Sequence, residues 1–169
     1  MVWKPNVTVA AVIQRDDAFL LVEEHVDGRL VLNQPAGHLE ASESLLEAVV
    51  REVREETAWR FHPTHLVGIY RWQHPTQQLT FLRVCVTGDV SDHREEQPLD
   101  PDIERTVWLP RDRIAAQAAR LRSPMVMQCV DDHAAGRRYP LDILIDLPDA
   151  GADPTSGAGR PARPERSGQ

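Results

Sequence analysis

The chain has 169 residues, 41% of them hydrophobic, 27% charged and 5% aromatic, proportions that suit one globular domain with its own core and exclude both a peptide and a multidomain assembly. Nineteen Lys and Arg against 26 Asp and Glu leave a net charge of −7, the wrong sign for a protein that neutralises a nucleic-acid backbone. Cys85 and Cys129 stand far apart with no CxxC or Cys/His ligand spacing, which excludes a zinc or disulfide framework and suits a reducing compartment with buried thiols.

Lys4 is the sole lysine against 18 arginines, so Schiff-base and phosphate-loop lysine chemistry is excluded by inventory and cationic contacts must come from Arg. The opening MVWKPNVTVAAVI holds an apolar run too short and too interrupted for a secretion signal or a membrane span, and a cytoplasmic protein is expected. Two β-rich runs, 7–13 and 18–24, flank a turn at Arg15-Asp16-Asp17 and read as hairpin strands; a third follows at 29–33. From 43 to 57, Leu46, Val49, Val50 and Val53 fall on one stripe at about 100° per residue, the mark of an amphipathic helix, with Ser42 placed to cap it.

Strands are predicted at 66–72, 79–87 and 106–109, and a short helix opens at Pro110. Ser123-Pro124 reads as a cap with Pro at the first helical position; Val126, Cys129, Val130 and His133 share one side, and Gly136 is the stop. Strands and helices mix without strict alternation, which predicts one layered α/β domain over 1–147. Residues 148–169 are rich in Pro, Gly and Ala with balanced charge, a composition too poor in apolar side chains to fold, so a disordered tail is expected. Its formal GxGxxA at 157–162 follows no strand and contains Pro161, so it is not a dinucleotide fingerprint.

The charge is concentrated. Residues 37–59 carry six Glu (40, 43, 47, 52, 55, 56) against Arg51 and Arg54, a local balance of −4. Glu52 and Glu56, four apart, share a helix face, and Glu55 lies on the neighbouring turn. Hard oxygen ligands at that density suit Mg²⁺ or Mn²⁺, ions that bind through few carboxylates and keep waters and phosphate oxygens as their other ligands. A solvated face tied by Glu47–Arg51 and Arg51–Glu55 pairs is the plainer alternative for a Glu-rich helix.

The wider pattern decides between them. Gly37, Glu43, Arg51, Glu52, Val53, Glu55 and Glu56 stand in the order G-x5-E-x7-R-E-U-x-E-E, with U bulky and aliphatic, and this resembles the Nudix box. The resemblance implies an α-β-α sandwich with a mixed sheet and hydrolysis of a nucleoside diphosphate linked to another group. The box ends in x-G-U, from which Ala58-Trp59 depart; a Gly there serves a left-handed helix exit, so Ala58 costs about 1 kcal/mol if that exit is kept.

Outside the box, Asn33-Gln34-Pro35-Ala36-Gly37-His38-Leu39-Glu40, Phe81-Leu82-Arg83, Ser123-Pro124 and Arg138-Tyr139-Pro140-Leu141 resemble the NudJ-type phosphatases. That branch acts on nucleoside tri- and diphosphates and on hydroxymethylpyrimidine pyrophosphate, releasing orthophosphate. The resemblance implies Gly37, Glu52, Glu55 and Glu56 as metal site, with Arg51 orienting Glu55 or Glu47. Glu55, Glu56 and Glu104 are the candidate bases, and Glu43 is a ligand through water. Arg29, Arg83 and the pair Arg137-Arg138 are phosphate candidates, and Trp3, Trp72 and Tyr139 are stacking candidates.

His62 and His65 have no third ligand nearby in sequence and are not read as a metal pair. The alternatives are a pyrophosphohydrolase of nucleoside triphosphates or ADP-ribose, and a non-catalytic nucleotide sensor that kept the fold. The partner is a small phosphorylated nucleotide or pyrimidine pyrophosphate rather than nucleic acid or membrane, and the chain is read as monomer or homodimer.

Overall fold

A computed structural model describes residues 2–147; the predicted tail at 148–169 lies outside the described residues. Eight strands and three α-helices follow in the order β1 (Asn6–Val12), β2 (Gln14–Arg15), β3 (Ala18–Val26), β4 (Arg29–Asn33), β5 (Ala36–His38), α1 (Leu45–Thr57), β6 (Arg60–Gln73), β7 (Thr80–Ser91), β8 (Ile103–Pro110), α2 (Arg111–Ala115) and α3 (Pro124–Ala134). One sheet has the order β5-β1-β7-β6 and is mixed, because β1 runs parallel to β7 while β5 and β6 are antiparallel to their neighbours. The other is antiparallel, with β3 paired to β2, β4 and β8.

Strand β1 is apolar on both faces because both faces are covered. Val9 and Ala11 join Ala48, Val49 and Val53 of α1, whereas Ala10 and Val12 join Val126, Cys129 and Val130 of α3. Helices on opposite faces of a mixed sheet make the expected α-β-α sandwich. Fully buried Val49 and Val53 each contribute about 1.5–3 kcal/mol, and together they fix which face of α1 turns outward.

Three local readings are corrected. The runs at 7–13 and 18–24 are not partners in one hairpin: the chain changes sheets at buried Ile13, whose carbonyl accepts from Leu20 N (2.9 Å), and only Gln14-Arg15 pairs back onto β3. The cap of α1 is Ser44, not Ser42; Ser44 Oγ accepts from Glu47 N (3.2 Å) and Glu47 Oε2 accepts from Ser44 N (2.8 Å), a reciprocal capping box. Strand β6 begins six residues earlier than predicted, since it is an edge strand whose first half alternates weakly and tolerates Pro63 beside a register shift.

The exit of α1 keeps the left-handed turn with Ala58 in the glycine position, at φ 59° and ψ 8°, its N–H donating to Arg54 O (3.0 Å). An L side chain at that φ is strained. Ala58→Gly is expected to stabilise the protein by up to about 1 kcal/mol, the relief being partly offset by the greater freedom of the unfolded chain; paired denaturant melts of the two proteins test this, and a variant less stable than the parent overturns it.

Candidate active site

The outward face of α1 is organised around Arg51. Its Nε and Nη2 donate to Glu43 (2.9 and 2.7 Å), Nη1 donates to Glu52 Oε1 (2.8 Å) and Glu55 Oε2 (3.1 Å), and Nη2 also donates to the His38 carbonyl (3.1 Å). All five guanidinium N–H groups are thereby used. These bonds raise the Arg51 pKa, fixing its charge, and hold the Glu43 carboxyl below the usual range. Glu47 is not among its partners, because the capping box occupies it. Glu43 also accepts from Glu40 N (2.8 Å), so it serves as a strut of the helix approach.

Glu52 and Glu56 are the unusual pair. They are only 7% and 6% exposed, as their place beside the apolar stripe requires. Burial pushes both carboxyls up, Glu56 to about 9; the charges of Glu52, Glu24 and Asp100 add to the rise at Glu56, while at Glu52 the charges of Glu55 and Asp100 add and Arg51 opposes. Glu56 Oε2 accepts from Ala36 N (2.9 Å), which ties α1 to β5. Gly37, the next residue of β5, faces the Glu52 carboxylate so closely that a built Cβ overlaps it. The glycine therefore serves space; its φ lies outside the left-handed region, into which only Gly28 and Gly136 fall among the described glycines.

Two further carboxyls, unassigned in the sequence reading, complete the neighbourhood. Asp100, whose N–H donates to Glu55 O (3.1 Å), is raised by burial and by the Glu55 charge. Glu24 of β3 is raised by burial and accepts from Asn33 Nδ2 (3.0 Å). Carboxyls crowded out of water with one arginine among them are what a hard divalent ion stabilises. Among the described residues no three His, Cys, Asp or Glu side chains form a closed ligand cage. Arg51 spans Glu52 and Glu55 instead, and the set fits an ion that keeps much of its own hydration.

Beside this face lies a cavity of ≈ 590 Å³ between the two sheets and the start of α3. Ala36, Gly37 and His38 form its wall toward the carboxylates, with Glu24, Arg83 and Trp72 also lining it. The other predicted contacts are elsewhere. Arg29 and Tyr139 do not line this cavity: Arg29 is exposed at the start of β4, and Tyr139 is bonded through its backbone to Leu66, six residues along β6 from Trp72. Arg138 lines a different cavity, Arg137 pairs with Asp132 (3.3 Å), and Trp3 is 65% exposed. Glu104, at the start of β8, is exposed and pairs with His25 (3.1 Å); it is Asp100, in the connection before that strand, whose charge reaches Glu52 and Glu56. His62 bonds Ser91 (2.8 Å).

Glu24 and Asp100 carry no spacing signal relative to the helix. Their position depends on strand pairing and on the 92–102 connection, which is why sequence reading missed them.

A glutamate-bearing helix laid on a glycine-containing strand, open to a cavity between two sheets, is the layout of a site for a hard divalent ion and a small ligand. The model of the NUDIX domain matches residues 4–129, and the chain belongs to the Nudix hydrolase family, whose members act on small nucleotide-like substrates and generally use divalent metals. It is 40% identical over 145 residues to Phosphatase NudJ of Escherichia coli K12, a span of 86% of this chain and 94% of that one. A NUDIX hydrolase structure from Nitrosomonas europaea, 50% identical, superimposes with a TM-score of 0.84 over 85% of this chain and 98% of its own. The NUDIX domain of Shewanella oneidensis NrtR complexed with ADP ribose shares the fold, with a TM-score of 0.63 at 18% identity over 80% of this chain and 90% of its own. Among the described residues no helix is long and apolar enough to cross a membrane.

Proposed function

We propose that the protein is a cytoplasmic Mg²⁺-dependent phosphatase, with Mn²⁺ as a substitute, that hydrolyses nucleoside tri- and diphosphates and hydroxymethylpyrimidine pyrophosphate with release of orthophosphate. The observation that carries this reading is the buried Glu52–Glu56 pair against Gly37 at the cavity wall, in a chain so similar to Phosphatase NudJ. Glu52, Glu55, Glu56 and the Gly37 carbonyl are the residues that would hold the ion. When bound, a divalent cation neutralises phosphate oxygens and lowers the pKa of a water molecule.

The chain's own residues do the rest. Arg51 fixes the rotamers of Glu52 and Glu55 through bonds of 2.8 and 3.1 Å. Glu55, whose side chain at 43% exposed is the most open of the four box carboxylates, would accept the proton of the attacking water. The cavity holds the organic part of the substrate.

The test measures phosphate release from nucleoside di- and triphosphates and from hydroxymethylpyrimidine pyrophosphate in Mg²⁺, with and without added inorganic pyrophosphatase. Orthophosphate from the triphosphates without the auxiliary enzyme is the expected and deciding result, since the single anhydride of a diphosphate yields orthophosphate whichever class of hydrolase cuts it. Release only with it reassigns the protein as a pyrophosphohydrolase, and no release from any substrate that still binds reassigns it as a sensor.

A further inference from the structure

Four residues that line one cavity each carry a buried side-chain polar atom that lacks a hydrogen-bond partner: Thr8 Oγ1, Asn33 Oδ1, Arg83 Nε and Ser123 Oγ. All four residues are at most 6% exposed. They come from three places in the fold. Thr8 and Arg83 are register partners on β1 and β7, Asn33 ends β4, and Ser123 precedes α3. Buried polar groups are otherwise paired as a rule, so their gathering in one cavity points to a ligand.

Arg83 is the strongest member. Its Nη1 donates to Gln34 Oε1 (3.2 Å), while Gln34 Nε2 is held by Ala11 O (3.3 Å), and no carboxylate of the described residues bridges the guanidinium. Asn33 spends its amide N–H on Glu24 Oε1 (3.0 Å), which leaves its oxygen as an acceptor. The free set is therefore mixed: a cationic donor, an amide acceptor and two hydroxyls that serve either way. A phosphate group, anionic and rich in acceptors, would face the acceptor Asn33 Oδ1 and share the cavity with Glu24 and Asp102. Above this floor stand half-buried Trp72 and Phe81, stacked on each other at 5.8 Å and 24°, with His74 edge-on to Trp72 at 5.1 Å. Their company suits a flat ring.

We propose that this floor reads the polar edge of an aromatic heterocycle bearing a hydrogen-bond donor beside an acceptor, Arg83 donating to it and Asn33 accepting from it. The proposal rests on the reading that the cavity receives the organic part of the substrate, and it assigns Arg83 to the heterocycle rather than to a phosphate. Specificity then lies on the sheet face opposite α1, since Thr8 and Arg83 point away from it while Val9 and Val84 pack toward it.

The experiment is an NMR titration in EDTA, with no hydrolysis involved, of adenosine, cytidine, guanosine and uridine, with ribose and inorganic phosphate as the other probes. At least one nucleoside is expected to bind about tenfold or more tightly than either control probe. Arg83→Met is expected to weaken that nucleoside by about tenfold or more, and Asn33→Leu and Thr8→Val by about threefold or more. If Arg83→Met fails to fold, the near-isosteric Thr8→Val decides alone. Phosphate binding as tightly as the nucleosides, no nucleoside binding, or unchanged affinity in variants that melt like the parent overturns the proposal. Because the metal and the chemistry are left out, a failure here leaves the phosphatase reading standing, and a protein without phosphatase activity leaves this test intact.

Discussion

Glu56→Gln is expected to lower turnover by about a hundredfold or more and, in the same protein kept in EDTA, to raise the melting temperature. The first effect follows, on the function proposed above, from removing a charge that would hold the cation stabilising the developing phosphate charge. The second follows from burial. In the protein alone the Glu56 carboxyl is pushed up to about 9, well above an exposed carboxyl. Between the usual carboxyl range and pH 9 the folded state keeps a proton that the unfolded state has lost, so stability falls as pH rises through that window. Glutamine mimics the protonated form, accepts the same Ala36 N–H, and escapes the penalty; the gain at pH 7 is on the order of 2 kcal/mol, or several degrees. Melting curves in EDTA from pH 5 to 9 check the sign: the parent loses stability with rising pH more steeply than the variant. An active Glu56→Gln protein, or one that melts lower at every pH, shows that the carboxyl serves the fold instead.

Gly37→Ala is expected to cost about as much in turnover by another route. The added methyl overlaps the Glu52 carboxylate, so either that side chain leaves its place or β5 moves, and β5 also supplies the Ala36 N–H to Glu56. Displacement by even 1 Å costs on the order of a hundredfold when positioning matters. The diagnostic is the rise in melting temperature on adding Mg²⁺, which the parent is expected to show and Gly37→Ala to lose together with activity. Wild-type turnover in this variant would sink the view that Gly37 is there for space.

The box helix was legible because its two signals coincide: an apolar stripe at helical period and carboxylates at four-residue spacing are both local. The flanking strands were legible as apolar runs, but their partners were not. Residues 7–13 look like the first arm of a hairpin, and only the change of sheet at Ile13 shows that β1 pairs with β5 and β7. Ser42 and Ser44 are equally good caps on paper; Glu47, three residues after Ser44, was the signal that separates them. Long-range assembly hid the remainder of the site. Glu24 and Asp100 reach the box carboxylates through a strand pairing and a loop, while Tyr139 and Arg29, attractive by residue type, lie away from the cavity. Arg83 was named as a candidate from its type, yet its burial and its free Nε belong to the packing of three elements.

The alternation of β1 and β5 has a consequence for how such a protein can diverge. Along β5, a side chain at position 37 would meet the Glu52 carboxylate, while Ala36 and His38 line the cavity together with the backbone of Gly37; along β1, Val9 backs the helix while Thr8 lines the cavity. Chemistry and choice of ligand are thus written on odd and even positions of the same short strands. Point substitutions at the even positions can retune what enters without disturbing the reaction, whereas deleting one residue from either strand exchanges the two roles and ruins both. Descent by substitution is open to this architecture, and descent by insertion or deletion within these strands is closed.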